Sequence, residues 1–168
     1  LSVALRVRDL CAFLGVDTVM TRDTEEITYP SEAKTIAAMK KWDTRRRVEI
    51  AESVDSPVFL SIHQNIYPSS GPHGSQVLYA QNEPSRALAE LIQSRLTAAL
   101  LPENRRVPVP AGKDIYIMSH VQCTAVLVEC GFLSHPQELS LLQSADYQKR
   151  IASVLTACYL QFTEKGVL

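Results

Sequence analysis

Two segments of the chain carry residue types that can do hydrolytic chemistry. In the first, the apolar run Ala125 to Val128 leads straight into Glu129, followed by Cys130, the turn glycine Gly131 and a helix-start signal at Ser134. In the second, the largely apolar run Val58 to Ile62 ends in His63, with Asn65 two residues further on. Burying a carboxylate without a partner is costly, so an acid placed directly after four apolar residues draws attention. Open α/β sheets set their chemistry at the carboxyl ends of the strands. One histidine and one glutamate at two such ends suit a metal ligand and a general base. Zinc hydrolases hold the metal with three protein ligands and a water. The metal draws the pKa of that water from 15.7 towards about 7, and a nearby carboxylate takes the proton. Each residue alone also fits a bland reading: a histidine at a strand end is commonly structural, and an acid there can serve packing. His120 follows an expected strand on the same edge and could reach a substrate. His73, in a Pro/Gly-rich loop, and His135, at a helix start, read as solvent-facing.

The elements that must position these residues alternate between helix and strand. Leu1, Val3, Leu5, Val7, Leu10, Cys11 and Leu14 form a helical stripe closed by Gly15, a natural residue for the left-handed turn after a helix. Val16 to Thr21 reads as a strand, residues 23–33 as a loop, and Lys34 to Ser53 as a helix. Strands follow at Val58 to His63 and Ser75 to Ala80, with a loop between them. Ala87, Leu88, Leu91, Ile92, Leu96 and Leu100 recur at helical spacing, which predicts a helix from Pro84 to Leu101. After a three-proline loop to Lys113, a short strand is expected at Ile115 to Met118 and the strongest strand of the chain at Ala125 to Glu129. Ser134, with Pro136 and Gln137 behind it, fits an S-x-x-Q capping box. A last helix runs from about Asp146 to Phe162. The strands are continuous apolar runs, as in a sheet covered by helices on both faces. The fold class is therefore α/β, a three-layer αβα arrangement. Residues 1–168 are expected to form one domain.

Composition excludes several function classes. The 17 basic and 18 acidic residues give a formal net charge of −1, which supplies no electrostatic case for nucleic acid. The run Arg45-Arg46-Arg47 is locally basic and reads as a solvated helix face, with contact to an anionic polymer or partner as the alternative. No apolar run approaches the roughly 20 residues of a membrane span. The four cysteines form no C-x-x-C pair and read as buried free thiols. There is no G-x-S-x-G elbow, P-loop or G-x-G-x-x-G.

The segments Ser61-Ile-His-Gln-Asn65 and Leu127-Val-Glu-Cys-Gly-Phe-Leu-Ser134 resemble two motifs of the zinc-dependent N-acetylmuramoyl-L-alanine amidases. Met20 to Asp23, Gly74 to Tyr79 and Leu141 to Ile151 resemble further stretches of that family, in order, over nearly the whole chain. Lys40, Lys41, Asp43, Arg46 and the cysteine of V-E-C-G-F-L-S look most like the spore-cortex branch. The resemblance implies a mixed, twisted sheet of about six strands with helices on both faces, a size common for sheets. It implies hydrolysis of the amide between N-acetylmuramic acid and L-alanine in peptidoglycan, outside the cytoplasmic membrane. By the same resemblance His63 matches a zinc ligand and Glu129 the catalytic base, while Asn65 and Gly131 shape the site.

The family's first zinc histidine, in a G-H-G-G motif, and its glutamate ligand have no counterpart here, and Leu1 aligns within the first helix. The chain is thus expected to be N-terminally incomplete, to lack the sheet's first strand and to be inactive by itself. A strand left without that neighbour would expose an apolar edge, open to a protein partner or a second copy. The alternative is a non-catalytic binding or scaffold domain on the amidase fold, metal-free and partner-dependent.

Overall fold

The computed structural model describes residues 1–164; the last four residues of the domain expected to reach Leu168 lie outside that range. Helix α1 (Ser2–Phe13) is followed by an irregular stretch and by α2 (Ile36–Glu52). Strand β1 (Val58–Asn65), strand β2 (Gln76–Tyr79) and helix α3 (Glu83–Leu100) come next. Strand β3 (Val109–Pro110), the short α4 (Tyr116–His120), strand β4 (Thr124–Phe132), α5 (Pro136–Gln143) and α6 (Ala145–Glu164) complete the order. The sheet order is β1-β4-β2-β3. β1 runs parallel to β4, β2 antiparallel to β4, and β3 parallel to β2, so the sheet is mixed.

Alternation along β4 divides the core in two. Val126, Val128 and Cys130 join Val77 and the inward residues of α1, α3 and α6 in one cluster. Ala125 and Leu127 face the other way, with Val48 and Ala51 of α2 and Met118 of α4. Every residue of β4 except Glu129 is buried. Buried polar side chains fasten the layers: the Ser85 hydroxyl accepts from the Ala125 amide at 2.8 Å, and the Gln93 carbonyl accepts from the Val77 amide at 2.9 Å. At such burial an unpaired amide would cost about 1–3 kcal/mol. Helix starts follow capping chemistry: Asn82 accepts from Ser85 and Thr35 from Ala38. Gly15 takes a φ of +74° immediately after the α1 cap, as its type suggested.

Several expectations need correction. The sheet of the described residues has four strands, not about six. Residues 16–21 form no strand, because no neighbour offers them a hydrogen-bonding ladder; Val19 stays 60 % exposed. Ile115 to Met118 is not a strand either. A turn from Gly112 to Ile115 starts α4, which buries Met118. β3 instead arises within the proline-rich stretch read as loop. The capping box does not form: the cap is His135, whose ring accepts from the Glu138 amide, while Ser134 accepts from the Tyr67 amide. His135 is accordingly half-buried rather than solvent-facing.

Candidate active site

His63 and Glu129 are register partners on the adjacent parallel strands β1 and β4. Opposed residues of neighbouring strands present side chains to the same face, with Cβ atoms about 4.5–5.5 Å apart. The face is that of α2 and α4, at the carboxyl ends of both strands. On the other side of β4, Gln76 of β2 stands opposite Glu129. Three polar residues, His63, Glu129 and Gln76, therefore form a row across three strands.

Glu129 is the half-buried exception in an otherwise buried strand, and its Oε2 is buried without a hydrogen-bond partner among the described residues. Desolvation raises its pKa above the ordinary carboxylate range. His63 shows part of its ring to solvent, but its pKa is pushed down, first by desolvation and then by the guanidinium groups of Arg47 and Arg22. The neutral imidazole favoured by these surroundings is the form that ligates metals. Arg47 is held by Asp43 at 3.0 Å and donates to Thr21 at 3.1 Å, which ties α2 to the segment carrying Arg22. Of the basic run, Arg45 and Arg46 are solvated and Arg46 pairs with Glu49, so only Arg47 reaches the site.

The chain turns away just beyond the pair. Asn65 accepts from the Ile66 amide through its side chain, and its carbonyl accepts from the Leu133 amide, both at 2.8 Å. The β1–β4 register slips between His63 and Asn65, so that Asn65 pairs with Phe132. Gly131 sits within this slip, and a Cβ there would lie 3.3 Å from the Glu138 carboxylate. That carboxylate, buried at the start of α5, accepts from the Phe132 amide at 2.8 Å and from the Gly74 amide at 2.9 Å. Glu138 thus clamps the end of β4 to the loop before β2. Sequence reasoning missed it; its place three residues after the cap, behind Pro136, was the available signal.

His120 does not join this constellation. It ends α4 just before β4 begins, and Glu129 lies five residue steps along the strand from Thr124, about 16 Å. Its ring stacks on Tyr116 with centroids 3.8 Å apart, and it is bonded to the Tyr116 carbonyl. The expectation of a shared edge failed because the element before it is a helix at the opposite end. Of two depressions, of about 570 and 420 Å³, neither is lined by His63 or Glu129; the first lies between α3 and the stretch from Pro102 to Pro108, Arg106 included.

A zinc centre can be tested against these residues. The unpartnered Glu129 oxygen and the neutral His63 ring fit a base beside one ligand. They are not a full shell: no group of three His, Cys, Asp or Glu side chains able to hold a metal occurs among the described residues.

Fold, motif row and acid together define a hydrolase-like αβα domain. The chain belongs to the N-acetylmuramoyl-L-alanine amidase family, whose profile matches residues 1–158. It is 36 % identical over 171 residues to the germination-specific N-acetylmuramoyl-L-alanine amidase of Bacillus subtilis, spanning 99 % of this chain and 70 % of that one. It is 34 % identical over 117 residues to the amidase LytC of the same organism, spanning 68 % of this chain but only 23 % of LytC. The CwlD amidase of Clostridioides difficile, solved in complex with the GerS lipoprotein, superposes with a TM-score of 0.91 at 28 % identity, over 98 % of this chain and 84 % of that one.

Proposed function

We propose that this chain is the body of a zinc-dependent amidase that hydrolyses the bond between N-acetylmuramic acid and L-alanine in peptidoglycan, serving the spore cortex. The observation that carries the reading is the His63–Glu129 register pair with its unpartnered, buried Glu129 oxygen. Membership of the amidase family and the likeness to the germination-specific relative support the substrate and the setting.

In this mechanism His63 would be one ligand and Glu129 the base. Zinc, when bound, would polarise the scissile carbonyl and acidify a water molecule. Two further protein ligands would be needed to complete the shell. Burial gives Glu129 a raised proton affinity, which suits it to accept a proton near neutral pH. It would return that proton to the departing alanine nitrogen, so that the amine leaves neutral. Asn65 and Gly131 shape the turn that keeps both strand ends in line, and desolvation, helped by Arg47 and Arg22, favours the neutral His63 ring.

The proposed setting is outside the cytoplasmic membrane; no helix of the described residues is long and apolar enough to cross one. Among the described residues β1 pairs on one side only, and it is half-exposed along most of its length, so its open side is the proposed seat of a protein partner or a second copy. The test of function is product analysis: the full-length gene product is incubated with purified cortex and wall peptidoglycan. Release of stem peptides with a free L-alanine amino group, without new reducing sugar ends, is expected. Intact sacculi, with candidate partners present, would favour the scaffold alternative.

A further inference from the structure

We propose that Arg106 is the specificity residue of this site and binds a carboxylate of the stem peptide beyond the scissile amide. The inference rests on the amidase reading and adds the feature of the substrate that is recognised. Arg106 is fixed by four independent contacts. Its Nε donates to the His73 carbonyl and its Nη1 to the Gln76 side chain, both at 2.9 Å. Its guanidinium lies 4.7 Å from the centroid of the Phe132 ring, and its amide donates to the Asn104 side chain at 3.0 Å. Gln76 is held in turn, donating to the Val107 carbonyl at 3.2 Å.

These contacts orient the cation without neutralising it. Among the described residues Arg106 has no carboxylate partner, like six other arginines, but of these seven it is the one also held against an aromatic ring. Two of its four anchors stand in or beside the catalytic row. Gln76 is the cross-strand neighbour of Glu129, and Phe132 lies three residues beyond Glu129 on β4. Arg106 leads into β3, two strand spacings from β4, or roughly 10 Å. Its contacts with Gln76 of β2 and Phe132 of β4 bring the guanidinium in beside the row, on the side of Glu129 away from His63, where a substrate segment beyond the cleaved bond would pass. A guanidinium held in this way has N–H groups left for a bidentate grip on a carboxylate, and amidation of that carboxylate would remove its charge.

The test compares muropeptides whose stem carboxylates are free with the same muropeptides amidated, using full-length protein. Binding is measured by calorimetry on the Glu129→Gln background and turnover on the active background. Arg106→Gln should raise Kd and KM for the free acid by about 10- to 100-fold, the worth of a charge-assisted pair. It should leave kcat within about twofold and the amidated ligand unaffected. Arg106→Lys should recover part of the loss. Equal weakening for both ligands would show a merely structural arginine and overturn the proposal, as would no change for either. Acid-selective binding that depends on Arg106 in a protein with no turnover would retain the proposal and reject the amidase reading. Absence of binding to either ligand would reject both.

Discussion

Replacing Glu138 is expected to loosen the active edge without touching the reacting residues. Its two carboxylate oxygens accept the buried amides of Phe132 and Gly74 at 2.8 and 2.9 Å. In Glu138→Leu both amides lose their acceptor while remaining under the same packing. A buried amide without a partner costs about 1–3 kcal/mol, so the pair sums to about 4 kcal/mol, within a range of about 2–6. Glu138→Gln keeps one acceptor and turns an amide group towards the other N–H, for a loss of about 2 kcal/mol. In a domain of this size 1 kcal/mol moves Tm by roughly 2–4 °C, so the leucine variant should melt about 8–16 °C lower. Urea unfolding followed by circular dichroism measures the loss directly, and hydrogen exchange should show the Phe132 and Gly74 amides opening first. A leucine variant within about 1 kcal/mol of wild type, with both amides still protected, would refute the clamp.

Glu129→Gln should raise stability at pH 7. The folded pKa of Glu129 lies above its unfolded value, so its ionised form opposes folding; the gain should shrink as pH falls through the raised folded pKa and be gone below about 4.5, the ordinary glutamate value. Matched urea midpoints at pH 7 and pH 4 check this. In metal-free protein the His63 ring should titrate below 6.5 by NMR, and Arg47→Gln should move it back upward. His63 should correspondingly lower stability as pH falls through 6.5, where the unfolded chain takes up the proton and the folded one resists it. Burial pushes the Cys130 thiol up to about 12 and Cys158 to about 11, so both should resist iodoacetamide at pH 8 in the native state, while the half-buried Cys123 reacts first. Peptide mapping after a timed pulse reads that order.

Much of the fold was legible because its signals are local. The helical stripe to Gly15, the leucine spacing of α3 and the apolar runs of β1 and β4 each specify an element from neighbouring residues alone. The meeting of His63 with Glu129 followed from two strands ending in polar residues. What failed depends on distant partners. Residues 16–21 have strand-forming side chains but no ladder to join, and Ile115 to Met118 was drawn into a helical turn by the burial of Met118. With that turn, His120 was carried to the far end of β4. Glu138 and Arg106 were missed because their partners lie 64 and 30 residues away in sequence, and no periodicity reports such contacts.

The central claim is that His63 and Glu129 divide the chemistry between a ligand and a base. Its most direct measurement is zinc content alongside muramoyl-alanine hydrolysis for the full-length protein, His63→Ala and Glu129→Gln. The account predicts about one zinc per wild-type molecule, loss of metal affinity in His63→Ala, and retained metal with lost turnover in Glu129→Gln. Full-length protein that holds no zinc and releases no peptide, or a Glu129→Gln variant that cleaves at the wild-type rate, would contradict it.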